Sequence, residues 1–178
     1  RAGEYTFSGP LRPDDVFERL YRGEVKLHHF TVPEGLRADE IAPIVERSGL
    51  ASAEDFLAAA RDPALARSLG LPYPTLEGFL FPDTYSFARG VTARGIAEGM
   101  VERFKAEWEK ANAGRDPGVR LDLGQAVTLA SIVEKETGRP DERPRISCVF
   151  HNRLRLGMRL QTDPTVMYAT MLRTGRWS

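Results

Sequence analysis

Apolar residues recur at helical spacing along much of the chain, and two shorter stretches alternate like strands. Residues 13–22 place Val16, Phe17 and Leu20 on one face, with Gly23 as a stop. Residues 38–48 do the same with Ile41, Ile44 and Val45, and Gly49 follows as the cap. Ser52 opens another helix as N-cap, with Asp55 in the capping-box position and Phe56 and Leu57 inward; it runs to about Arg61, before Asp62-Pro63. Longer helices are predicted over 92–113, 123–137 and 142–156, the last ended by Gly157. Asp163-Pro164 reads as N-cap and first turn of a final helix reaching Leu172. Tyr5-Thr6-Phe7 alternates like a short strand. Residues 25–32 form a second, with Val25, Leu27 and Phe30 or Val32 inward, closed by Pro33-Glu34-Gly35. Residues 76–85 are aromatic, extended and too rich in Pro and Gly for a helix, and 158–161 is a short extended piece.

This order predicts an α+β chain: a small β/α module, then a mainly helical domain. The Pro-rich stretch Leu71-Pro72-Tyr73-Pro74 is the expected boundary, giving 1–72 and 73–178. The length of 178 residues allows one large domain or two small ones. Hydrophobic residues at 42% and charged ones at 28% are ordinary for a globular fold with a real core. Lys plus Arg, 25, cancels Asp plus Glu, 25, so no global field draws the chain to nucleic acid or to an anionic membrane. Cys148 is the single cysteine; it lies in an apolar run and is expected to be buried. No run of about 18 apolar residues and no signal-peptide pattern occurs. Arg1 is not a natural start, so the chain reads as part of a longer protein with room for an anchor upstream.

The helix over 123–137 carries the most informative chemistry. At 100° per residue, Glu136 shares a stripe with Leu129, Ile132 and Val133, whereas Glu134 falls nearly opposite, beside Val127, Ala130 and Ser131. The helix is apolar almost all round and is expected to be buried. A carboxyl over its apolar stripe would be partly desolvated, which raises its pKa and suits a general acid. Two residues apart on a helix cannot converge on one bond, so at most one of these glutamates is the acid, and the stripe selects Glu136. The plainer alternative is a solvated Glu136, or one paired with Lys135, Arg139 or Arg143.

Other groups have two readings each. Glu77, Asp83 and Tyr85 bracket an apolar run and suit the wall of a sugar cleft, or else serve as core, turn and cap residues. Arg143, Arg145, Arg153, Arg155 and Arg159, with His151 and Asn152, could bind substrate carboxylates or form a solvated helix face. Gln161, Thr162 and Asp163 stand at an extended-to-helix junction, where loops carry function or simply cap the next helix. His28, His29 and His151 lack metal-ligand spacing, and no phosphate loop or nucleophile elbow is present. The residues therefore point to carboxylate acid/base work with no metal and no cofactor.

Three segments resemble the MltG (YceG-like) family of endolytic murein transglycosylases. They are Leu76-Glu77-Gly78-Phe79-Leu80-Phe81-Pro82-Asp83-Thr84-Tyr85, then Ala130-Ser131-Ile132-Val133-Glu134-Lys135-Glu136-Thr137, then the long stretch from Val149 through His151-Asn152-Arg153-Leu154 and Gln161-Thr162-Asp163-Pro164-Thr165 to Val166. Phe30-Thr31-Val32-Pro33-Glu34-Gly35-Leu36 followed by a helix is similar to that family's LysM-like module.

The resemblance implies a protein held in the bacterial cytoplasmic membrane by one N-terminal helix, with an extracytoplasmic LysM-like module and catalytic domain. It implies cleavage of peptidoglycan glycan strands between MurNAc and GlcNAc, leaving 1,6-anhydroMurNAc ends and terminating strand growth. Glu136 matches the family's catalytic glutamate, and Thr137 resembles the small hydroxyl residue that follows it. Glu77, Asp83, Tyr85, Asn152, Gln161, Thr162 and Asp163 become candidates for holding the sugar. Membrane peptidoglycan synthases are the partners it suggests. The family's catalytic domain continues past Asp163-Pro164-Thr165, so only its N-terminal portion is expected here, truncated at the C-terminus. The alternatives are a non-catalytic peptidoglycan-binding or scaffold module, and a nucleic-acid binder using residues 143–159, which the zero net charge argues against.

Overall fold

Helix signals in the sequence are answered by local hydrogen bonds. The computed structural model describes residues 3–114, 118 and 121–175. It has an α+β fold that falls into two compact units, Arg1–Arg115 and Asp116–Ser178.

The first unit holds α1 (Pro13–Arg22), β1 (Leu27–Thr31), α2 (Ala38–Arg47), α3 (Ala53–Ala60), α4 (Pro63–Ser68), β2 (Thr84–Ala88) and α5 (Ala93–Ala113). Ser52 Oγ accepts from the Asp55 amide at 3.0 Å and starts α3; Thr92 Oγ accepts from Gly95 at 3.0 Å and starts α5. Each such cap is worth about 1 kcal/mol. β1 and β2 pair antiparallel, with Phe30 opposite Tyr85 and Thr31 opposite Thr84. Phe30, Tyr85 and Phe87 form one aromatic cluster, with ring centroids 5.5–6.2 Å apart. α3 packs on α2 and on α5. Ile41, Phe56, Leu76, Phe79, Ile96 and Met100 are fully buried in this unit.

Several expectations change. Tyr5-Thr6-Phe7 is not a strand. The Glu4 carbonyl just before it accepts from the Lys26 amide, the Thr6 carbonyl accepts from Arg19 Nη1 at 3.2 Å, and the Tyr5 and Phe7 rings stack at 6.4 Å. Leu27 is exposed, because it shares a strand face with His29 and Thr31, opposite to Phe30. Asp62-Pro63 does not merely end a helix: Asp62 accepts from the Ala64 amide at 2.8 Å and Pro63 opens α4, which buries Leu65 and Ala66. The compact units do not divide at 72/73. The partner of β1 lies beyond that point, at 84–88, and the Leu76 amide donates to the Ala60 carbonyl at 2.8 Å. The Pro-rich stretch is therefore a connection inside the first unit.

The second unit holds α6 (Leu123–Glu136), α7 (Arg143–Arg155) and α8 (Asp163–Thr174), with α6 packed on both others. Asp122 and Gln125 cap α6 reciprocally. Its small core joins Leu129, Ile132 and Val133 of α6 to Phe150 of α7, with Leu121, Ile146 and Leu160 at the margin. α6 is thus buried along one stripe rather than all round, and Ala130 and Ser131 face outward. Cys148 is exposed, not buried, because α7 turns Phe150 inward and Cys148 lies about 200° away around the helix.

Candidate active site

The buried stripe of α6 ends at the site. Leu129, Ile132 and Val133 fix the rotation of the helix, and Glu136 is its last residue, followed by the extended backbone of Thr137. An open groove of about 240 Å³ lies there, lined by Glu136, Ile146, Val149, Phe150, Arg153 and Gln161. Three of the six are apolar residues of α7, and Glu136 is the one carboxylate among them. An acid, a guanidinium and an amide over an apolar wall suit a polyhydroxylated ligand with an apolar ring face.

The burial expected of Glu136 is not found: the residue is exposed. Its position at the helix end carries it past the stripe, into the open groove. Glu134 behaves in the opposite way. It is half-buried, and Arg143 Nη2 lies 3.2 and 2.9 Å from its two oxygens. The Arg143 partnership weighed for Glu136 belongs to Glu134.

Thr137 is buried and works within the protein. Its hydroxyl donates to Glu142 Oε2 at 2.8 Å and accepts from the Arg139 amide at 3.0 Å, pinning the turn between α6 and α7. Its hydroxyl is therefore engaged internally.

Gln161 is brought to the groove by an unusual backbone. Its φ of 50° is the one positive value at a non-glycine among the described residues. Left-handed backbone at such a residue stores strain, and such strain gathers at functional positions. The adjoining Thr162 is 4% exposed and its hydroxyl finds no partner among the described residues. Thr162, not Asp163, occupies the N-cap of α8, and its side chain does not cap. Asp163 is exposed in the first turn. Asn152 is also exposed; it contacts Cys148 and Arg155 on α7 and does not line the groove.

Glu77, Asp83 and Tyr85 belong to the first unit, where each has a structural partner. Glu77 Oε2 accepts from the Ala38 amide at 3.2 Å, at the start of α2, and burial pushes its carboxyl above the usual range. Arg103 Nε donates to Asp83 at 2.6 Å and holds that carboxyl low. Tyr85 donates to the Phe81 carbonyl at 2.6 Å, and burial pushes its phenol well up. These contacts match the core, turn and cap readings of the three residues.

Arg153 was one of five arginines over residues 143–159, with nothing in the sequence to single it out. Its place becomes legible only from α7: it stands three residues after the buried Phe150, on the same face. Ile146 and Val149 stand seven and four residues before Arg153, at helical spacing along the groove side of α7.

Comparison with known proteins shows the family of the chain. Residues 1–177 match the YceG-like family. A protein of Streptococcus pneumoniae named endolytic murein transglycosylase is 29% identical over 198 aligned residues, covering 95% of this chain and 35% of that protein. One of the same name from Bacillus subtilis is 29% identical over 192 residues, covering 95% of this chain and 51% of its own length. The chain therefore spans about a third to a half of the curated relatives it matches. The crystal structure of a yceG-like protein from Listeria monocytogenes superposes with a TM-score of 0.64 at 30% identity, over 92% of this chain and 59% of that one. By sequence along nearly its whole length and by fold, this chain belongs to the YceG-like family.

Proposed function

We propose that the chain is part of an endolytic murein transglycosylase and that Glu136 is its catalytic acid. The observation that carries the reading is a groove in which, among the described residues, Glu136 is the one carboxylate, set beside a guanidinium and an amide. Most glycosidases use two carboxylates, one of them to activate water or to attack the sugar. A lytic transglycosylase needs one. Glu136 gives its proton to the glycosidic oxygen as the bond from C1 of MurNAc breaks. The 6-hydroxyl of the same sugar attacks C1 and closes a 1,6-anhydro ring. Its proton returns to Glu136, so the acid is restored and no water is consumed. The nucleophile is intramolecular, so the protein's task is to hold the sugar with that hydroxyl near C1. Gln161 is suited to that task within the groove. The relatives named endolytic murein transglycosylase support the transglycosylase reading.

Peptidoglycan as substrate implies an extracytoplasmic position, and a membrane anchor together with contact with membrane synthases fits termination of growing strands. In the first unit, two antiparallel strands, β1 and β2, enclosing the helices α2, α3 and α4 support a LysM-like module. A scaffold that only binds peptidoglycan is the competing reading.

Cleavage of purified glycan strands by the intact natural protein separates them. Glu136→Gln is expected to abolish cleavage with an unchanged circular dichroism spectrum. Glu134→Gln is expected to keep cleaving and to lose about 1 kcal/mol of stability, as for a partly exposed ion pair. Activity surviving in Glu136→Gln would remove the assignment.

A further inference from the structure

Arg153 is the one charged group of the groove that this chemistry leaves unused. It is half-buried on α7 and donates through Nη1 to the Leu160 carbonyl. That bond takes one of the five N–H donors of a guanidinium and holds its plane in place. Of the acids in this unit, Glu134 pairs with Arg143, and Asp141 and Glu142 pair with Arg139; Glu136, in the groove with Arg153, and Asp163 form no ion pair among the described residues. Among the described residues no carboxylate pairs with Arg153. The groove thus offers a fixed, uncommitted cation beside the acid.

An alternating glycan presents two kinds of glycosidic bond to one acid. Its two sugars differ by the lactyl ether on MurNAc, whose carboxyl is free or joined to the stem peptide. GlcNAc has a hydroxyl there. Cutting only one bond requires that this difference be read close to the acid. A guanidinium is the side chain whose donors match a carboxylate, often with two parallel bonds.

We propose that Arg153 binds the carboxylate-bearing substituent of the sugar seated over Glu136 and so fixes which of the two alternating sugars lies there. The inference rests on the transglycosylase reading and adds a specificity-determining residue to it. The carboxylate has two sources, the lactyl group of peptide-free strands or the stem peptide.

The test is binding to the Glu136→Gln form of the intact natural protein, which does not cut its ligand. The probes are peptide-free glycan strands, the same strands with their carboxylates converted to neutral amides, peptide-bearing strands, and chitin oligosaccharides, which lack the lactyl group. Carboxylate-bearing strands are expected to bind roughly tenfold or more tightly than amidated ones, the worth of one charge-assisted hydrogen bond. Adding Arg153→Gln should erase that preference, lowering affinity for carboxylate-bearing strands more than for amidated strands or chitin oligosaccharides. Arg153→Lys, which keeps the charge but not the fork, should reduce it. Tighter binding of peptide-free strands names the lactyl group as the source, and tighter binding of peptide-bearing strands names the stem peptide. Equal affinity for carboxylate and amidated strands overturns the proposal. So does an equal loss on every probe in Arg153→Gln, the mark of a mere anchor for Leu160. Discrimination without anhydro products from the wild type sinks the transglycosylase reading alone. Anhydro products without discrimination sink only this one.

Discussion

Glu134 and Glu136 share a helix and differ in fate because one faces Arg143 and the other overhangs an open groove. The helical wheel set them about 200° apart, as helix geometry requires, but assigned their burial the wrong way round: Glu134 is half-buried and Glu136 exposed. It could not tell that the stripe stops at Val133, because what covers a helix end depends on other elements. Glu77 shows a residue whose place the sequence left open and whose energetics the structure makes testable. Burial raises its carboxyl above the usual range. The folded state then holds that proton more tightly than the unfolded chain, so stability falls as pH rises from the ordinary carboxylate range through the raised value. Glu77→Gln stays neutral and can still accept from Ala38. Its stability advantage over the wild type is expected to grow as pH rises above the ordinary carboxylate value of 4.5 in denaturant titrations. A constant gap would contradict the assignment.

At the scale of elements, capping chemistry was the most readable signal. Ser52 and Thr92 sit where their helices begin, and Gly157 follows the end of α7 with a φ of 68°. Asp62-Pro63 carried the same signal as Asp163-Pro164, yet looked like a stop because a helix had just ended before it. The turns beside the groove were less legible, since they depend on contacts between segments. Thr137 is the clearest case: its hydroxyl serves both Glu142 and Arg139. Thr137→Val keeps the shape and removes both hydrogen bonds, at a cost of about 1–2 kcal/mol. Thermal unfolding reads it, and an unchanged midpoint would remove Thr137 as the pin of this turn. Gln161 poses the converse question. Gly suits its left-handed backbone, so Gln161→Gly is expected to gain up to about 1 kcal/mol of stability. The same change deletes the amide from the groove and is expected to slow cleavage. Lower stability together with full activity would contradict both roles.

At the scale of the molecule, the pattern of apolar positions conveyed the α+β class and most of the elements, but not the division into units. Proline-rich composition marked a connection at 71–74, while long-range strand pairing placed β2 in the same unit as β1. Pairing between distant segments leaves no local trace. The groove was legible only in part for the same reason. Glu136 and Gln161 were in view from the sequence, whereas the apolar wall from α7 and the place of Arg153 needed the packing of α6 against α7. The central claim concerns chemistry, and the most direct measurement is mass spectrometry of the ends released when the intact natural protein acts on purified glycan strands. The account predicts new 1,6-anhydroMurNAc ends, formed without water. Reducing MurNAc ends in their place would mean hydrolysis and would contradict the single-acid, intramolecular mechanism assigned to Glu136.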